Sequence, residues 1–236
     1  MEDGECIATE APKAPVTKER KIGTDLEKYI AKPYVARALQ AADVGNPDGT
    51  KGHPDNGMTV LQQHVAFFDQ NNDGVVYPWE TFKGIRDLGF DPFSSFVITF
   101  VINAAFSYRT LRGWVPNPLL PIYIERIHRD KHGSDSATYD TEGRFMPVNL
   151  ENMFTKYALT KPDNLSLKEL WQMTEGNRAA FDYIGWLASK LEWLLLYYVA
   201  KDKQGFLSKE AVRGCFDGSL FKNISKMYKD SDRKSK

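Results

Sequence analysis

Between Met58 and Phe68 the apolar side chains Val60, Leu61, Val65 and Phe68 recur at the spacing of one helix face, so a helix is predicted to run directly into the acidic stretch that follows. Residues 181–200, FDYIGWLASKLEWLLLYYVA, repeat the pattern with Phe181, Ile184, Leu187, Leu191, Leu194 and Tyr198. Trp186, Trp193 and Tyr197 widen that stripe, so the helix is expected to be core, with lipid or an acyl-chain groove as the other surface on which it could rest. Residues 92–108 differ, because all seventeen positions lack a charge. As a helix they would span about 26 Å, short of the roughly 30 Å of a bilayer's hydrocarbon core. Arg109 and Arg112 interrupt the run, and Gly113–Ile124 adds twelve uncharged residues containing Pro116, Pro118 and Pro121. Since prolines forbid a straight helix there, the expectation is a segment that dips into lipid, turns in the proline cluster and returns, with Trp114 and Tyr123 at the interface. A buried core helix is the competing reading. The first 33 or so residues, rich in Ala, Pro, Lys and Glu without periodicity, read as a mobile tail, and the Gly/Pro-rich residues 45–57 as a loop.

Composition narrows the class. With 236 residues, 42% hydrophobic and 26% charged, the chain can bury a core. Its 31 basic residues balance 31 acidic ones, which removes the positive field a nucleic-acid binder uses to reach phosphates. Only Cys6 and Cys215 occur, so neither a disulfide scaffold nor a thiolate zinc site is expected, and a reducing compartment fits. The N-terminus is acidic and has no apolar core of a secretory signal, so any membrane targeting is expected to be internal.

The stretch DQNNDGVVYPWE places Asp69, Asn71 and Asp73 at positions 1, 3 and 5 of a twelve-residue loop, Gly74 at 6 and Glu80 at 12. A calcium ion takes six to eight oxygens, so alternate side chains turn inward, glycine permits the bend, Val75 offers its carbonyl and Glu80 can chelate with both oxygens. Magnesium prefers a tighter octahedron and fits less well. Such loops usually come in pairs, but no second one is intact. Leu165, Ser166 and Glu169 align with late loop positions, and Asp202, Gln204 and Gly205 with early ones, so one calcium is expected, with these two segments able to pair without binding.

Of the four histidines, His53 falls in the Gly/Pro loop and reads as a turn residue, while His64 lies near the apolar face of the helix entering the acidic loop. His128 and His132 are four apart, so on one helix they would share a face and could hold a metal. Without HExxH or thiolates, zinc hydrolysis is poorly supported; two histidines from distant segments could instead grip a heme iron.

The strings VLQQHVAFFDQNNDGVVYPWET, PNPLLPIYIERIHRDKHGSDSATYDTEGRFMPVNLE, LWQMTEGNR and GFLSKEAVRGCFDGSLF closely resemble the caleosins, plant and fungal lipid-droplet proteins also called peroxygenases. The resemblance covers nearly everything after residue 30. It implies one calcium loop, a hydrophobic segment with a proline knot, a b-type heme held through histidine, and transfer of oxygen from a fatty-acid hydroperoxide to an unsaturated fatty acid, giving epoxides or hydroxylated products. Matched to the family's two essential histidines are His64 and His132. One is then expected to be the iron's proximal ligand and the other a distal proton carrier, with the order open. Calcium at Asp69, Asn71, Asp73, Val75 and Glu80 is expected to set the position of His64. The implied location is the lipid-droplet surface and the endoplasmic-reticulum membrane, with no nucleic-acid partner and the oligomeric state open. A non-catalytic, calcium-responsive droplet coat or docking protein is the alternative. The predicted architecture is mainly α, in five parts: a mobile tail (1–44), an EF-hand helix-loop-helix (45–90), a lipid-associated proline-knot segment (91–125), a C-terminal helical region with degenerate loops (126–221) and a basic tail (222–236).

Overall fold

The computed structural model describes residues 11–14 and 23–234. Helices dominate: α1 (Val60–Ala66), α2 (Pro78–Asp87), α3 (Pro92–Thr110), α4 (Pro147–Tyr157), α5 (Leu167–Gly176), α6 (Tyr183–Ala200), α7 (Lys209–Phe216) and α8 (Ser219–Lys234). Short strands β1 (Val75–Val76), β2 (Ile122–Tyr123), β3 (Asn164–Ser166) and β4 (Phe206–Ser208) sit between them, and a 3-10 helix spans Ile124–Asp130. Local chemistry sets several starts. Thr59 and Gln62 form a reciprocal cap on α1, Asp91 accepts from the amides of Phe93 and Ser94 ahead of Pro92, and Ser166 caps α5 with Glu169.

The strands organise the helices into two paired helix-loop-helix units. β1 pairs antiparallel with β2, Val76 opposite Ile122, joining α1 and α2 to α3 and the 3-10 helix. β3 pairs with β4, Leu165 opposite Leu207, joining α4 and α5 to α6 and α7. The partner of the acidic loop is therefore the segment just after the proline cluster, while the two degenerate loops pair with each other. Glu169 helps close that second pair. Its carboxylate accepts from the amides of Leu159, Thr160 and Ser166 and from the Ser166 hydroxyl, at 2.7–2.9 Å.

α3 is built inside out. Its buried positions are Ser95, Thr99, Asn103, Ser107 and Thr110, while Phe93, Phe96 and Phe100 are 77, 65 and 60% exposed. Asn103 is fully buried and donates to the Leu120 and Val76 carbonyls, fastening the proline loop and β1 to the helix. The polar stripe recurs every three or four residues, and hydrophobic periodicity, low in such a uniform run, does not reveal which face turns inward. No helix among the described residues is long and apolar enough to cross a membrane.

Both expected tails depart from expectation. Residues 1–10 and 15–22 of the first lie outside the described residues, but beyond them Ile30, Ala41 and Ala42 are buried and Arg37 exchanges two backbone hydrogen bonds with Phe145. Asp43 reaches the buried Arg213 guanidinium at 3.5 Å, so the strap is held by pairing and burial that composition does not register. At the other end, residues to Lys234 continue α8. Phe221, Ile224, Ser225 and Tyr228 recur on one face, with Phe221 and Ser225 buried and Lys229 bonded to Asp87 at 2.8 Å. The abundant lysines hid that stripe.

Candidate active site

His64 occupies the last turn of α1, and its Nδ1 lies 2.7 Å from the Cys215 carbonyl at the end of α7. An imidazole nitrogen facing a carbonyl must donate, which leaves Nε2 as the basic atom. Burial pushes the His64 pKa below its ordinary 6.5, outweighing the Cys215 hydrogen bond and the more distant Glu192 and Asp217, so the ring is neutral at pH 7. The Phe221 ring meets it edge-on at 5.1 Å. Gly218 makes the approach feasible. It has φ +77°, and a Cβ there would lie 2.8 Å from the Gln63 carbonyl oxygen and 3.3 Å from His64 Cα.

His132 is the electrostatic opposite. Its side chain is 12% exposed, with Asp182 Oδ2 3.9 Å from Nδ1 and Glu192 Oε2 4.0 Å from Nε2. Glu192 raises its pKa most, against burial, and Asp135 and Asp182 add to the rise. Nδ1 itself has no hydrogen-bond partner within reach. Asp182 caps α6 through Gly185 N and accepts from Ser134 N and Oγ at 2.8 and 2.9 Å, tying the turn that carries His132 to that helix. The 3-10 helix ends at Asp130, so His128 and His132 do not share a helix face, and the condition under which they could hold a metal together is not met.

Glu192 lies 4.0 Å from His132 and its charge also reaches Asp130, Cys215 and, more weakly, His64. Burial raises the Asp130 pKa to about 6 although Arg109 contacts it at 2.8 Å. Asp182, Glu192, Asp130 and the Cys215 carbonyl escaped the sequence reading. Asp182 has the form of an N-cap and could have been found; nothing local marks the others.

In the acidic loop Asp69 accepts from Asp73 N and Gly74 N, Asn71 Oδ1 from Asp73 N, and Asp73 Oδ1 from Val75 N, at 2.8–3.2 Å. Asn72 and Gly74 take left-handed conformations, φ +60° and +82°. Glu80, 4% exposed, accepts from Gln70 N and Tyr77 N, one bond per oxygen. The donors are all hard oxygens, as calcium requires. Among the described residues, however, no three His, Cys, Asp or Glu side chains converge closely enough to hold a metal ion. His64, with Nδ1 anchored and Nε2 basic, has the form of a metal-ligating imidazole. Two surface clefts, of about 410 and 460 Å³, are lined by neither His64 nor His132, so the fit to heme rests on that imidazole.

Residues 56–225 match the model of the family described as caleosin related protein. The chain belongs to the caleosin family. A protein of Lilium longiflorum called "Peroxygenase" is 54% identical over 93% of this chain and 92% of its own length. "Probable peroxygenase 4" of Arabidopsis thaliana is 46% identical, covering 70% of this caleosin and 85% of the relative. A "Probable inactive peroxygenase-like protein" of Arabidopsis thaliana is 36% identical over 65% and 74%. No solved structure matches the chain.

Proposed function

We propose that this caleosin is a calcium-responsive, heme-dependent peroxygenase acting at a lipid surface. The observation that carries the reading is the contrast between two histidines: a neutral His64 with Nδ1 tied to Cys215, and a His132 made more basic by the Asp182 and Glu192 carboxylates beside it. Nε2 of His64 would hold the iron, and the bound heme would supply the oxygen-transfer chemistry. His132 takes the hydroperoxide proton and returns it from Nε2 to the departing alkoxide oxygen, with Glu192 beside it to share the charge. The hydroperoxide leaves as its alcohol, and the acceptor gains the oxygen as an epoxide or hydroxyl without outside reductant. The relatives' names support the activity.

Calcium reaches this site through packing. Gly84 lies one turn beyond Glu80 on α2, and the Phe68 ring sits so close that a Cβ there would be 2.4 Å from it. Phe68 meets Phe221 at 5.9 Å, and Phe221 meets His64 at 5.1 Å. Drawing Asp69, Asn71, Asp73, the Val75 carbonyl and Glu80 onto an ion shifts the start of α2 and, through these rings, the His64 imidazole. The inverted α3 supports the lipid reading, since each exposed phenylalanine forgoes much of the about 1.5–3 kcal/mol that full burial would contribute. A lipid-droplet monolayer or the endoplasmic-reticulum membrane would recover it.

The test is product analysis. Incubated with an ¹⁸O-labelled fatty-acid hydroperoxide and an unsaturated fatty acid, the protein is expected to yield labelled epoxide and the matching alcohol one to one. Unlabelled product, or none under heme loading, overturns the enzymatic reading. The non-catalytic coat is the second reading, favoured by the inactive-named relative.

A further inference from the structure

We propose that α6 lays its outward apolar face on the same lipid surface as α3, so that the protein contacts lipid through two helices lying flat. This rests on the lipid reading of α3. Six large apolar residues at or near α6, Phe181, Tyr183, Ile184, Leu187, Leu191 and Tyr198, are 52 to 88% exposed, whereas Gly185 and Ser189 face inward. The first half of the helix thus resembles α3, with small groups inside and large apolar groups outside, while Trp193 and Leu196 anchor its second half in the core.

α6 carries only two charged side chains. Its one cation, Lys190, is buried, bonding Glu175 at 2.8 Å and Thr174 at 3.0 Å beneath the Trp171 ring. Its one anion, Glu192, lies 4.0 Å from His132 and is 53% exposed. The two faces are continuous, because Phe90, just before α3, meets Tyr198 at 5.5 Å, and Ile98 and Ile102 pack in one cluster with Leu195 and Val199. The surface offers no charged side chain along residues 92–108 to match a protein partner's polar rim. Tyr108, Tyr183, Tyr198 and Trp114, all at least 61% exposed, supply the amphipathic rings that favour a lipid–water boundary. With no described helix long enough to cross, such elements lie in the interface plane. The consequence is functional. Asp182 and Glu192 flank His132 from this same helix, so an acyl chain arriving along α6 meets the site's own scaffold.

The test is flotation of the full chain with phosphatidylcholine vesicles, comparing wild type, Ile184→Ser/Leu187→Ser/Leu191→Ser and Phe93→Ser/Phe96→Ser/Phe100→Ser. All six positions are more than half exposed, so melting temperatures should hold. Wild type is expected to float and each triple variant to lose at least tenfold in partition. If wild type and the α6 triple float equally while the α3 triple does not, the α6 inference fails and the α3 reading stands. If wild type does not float, both fail. If the α6 triple instead turns a lipid-free dimer into a monomer with unchanged flotation, a second copy covers the face and the proposal is overturned. As an independent readout, an environment-sensitive dye on Leu187→Cys, in a Cys6→Ser background, should blue-shift with vesicles, whereas the same dye on Glu142→Cys should not. Cys215 does not compete for label, because burial holds its thiol protonated. An unshifted Leu187→Cys emission likewise overturns the proposal.

Discussion

Gly218→Ala probes the His64 anchor without touching the histidine. Two effects add at this position. The left-handed backbone, φ +77°, costs a residue with a Cβ about 1–2 kcal/mol. The new methyl then lies 2.8 Å from the Gln63 carbonyl oxygen, and because that contact is backbone, α1 itself must give, adding about 1–3 kcal/mol of overpacking. The total is about 2–5 kcal/mol. Gly57→Ala is the matched control, since φ is +72° with nothing within 4 Å of the added carbon, so only the first term, about 1–2 kcal/mol, applies. Urea melts give both numbers. Movement of α1 away from α7 should also lengthen the His64 to Cys215 bond and be seen as a changed Nδ1–H signal in ¹⁵N NMR. Equal stability losses for the two variants, with an unchanged His64 signal, would refute the reasoning.

Three further outcomes follow from the same geometry. Glu80→Gln removes the loop's twelfth-position carboxylate and should weaken calcium binding at least tenfold by titration calorimetry, with calcium-dependent shifts at Phe221 diminished; undiminished affinity would contradict the proposed shell. Asp130 keeps its proton up to about pH 6 when folded but only to about 3.8 when unfolded, so its contribution falls as pH rises through that window. Asp130→Asn should therefore be equal to wild type in stability near pH 3.5 and more stable by up to ~3 kcal/mol at pH 7, at 1.36 kcal/mol per unit, in paired urea melts. Asn103→Ala leaves the Leu120 carbonyl without its donor inside the protein and should cost about 1–3 kcal/mol, with faster proteolysis in the proline loop that it pins.

Local signals were legible in the sequence and long-range ones were not. The turn network of residues 69–80 follows from neighbouring spacing, so Asp69, Asn71, Asp73 and Glu80 could be placed from the string alone. The helix running into it was legible for the same reason. That Val76 pairs with Ile122 was not, because two-residue strands carry no periodicity and the partner follows a proline cluster read as lipid-inserted. Arg213 shows the difficulty from the other side: a fully buried cation is inconspicuous until Asp43, Glu210 and Asp217 are brought around it. At the candidate site, His64 and His132 were singled out by resemblance, but the opposite directions of their pKa shifts depend on burial and on Cys215, Asp182 and Glu192, which lie 50 or more residues away in the chain. The apolar runs 92–108 and 181–200 were visible as hydrophobic, whereas the direction each faces emerges only from what packs beneath it.

The division of labour between the two histidines is tested most directly by the visible absorption spectrum of heme-loaded protein, taken for wild type, His64→Ala and His132→Gln at matched calcium. The account predicts that His64→Ala loses the Soret band and regains it with added imidazole, while His132→Gln keeps the band and loses oxygen transfer. A His64→Ala protein with an unaltered spectrum, or a His132→Gln protein without heme, would contradict it.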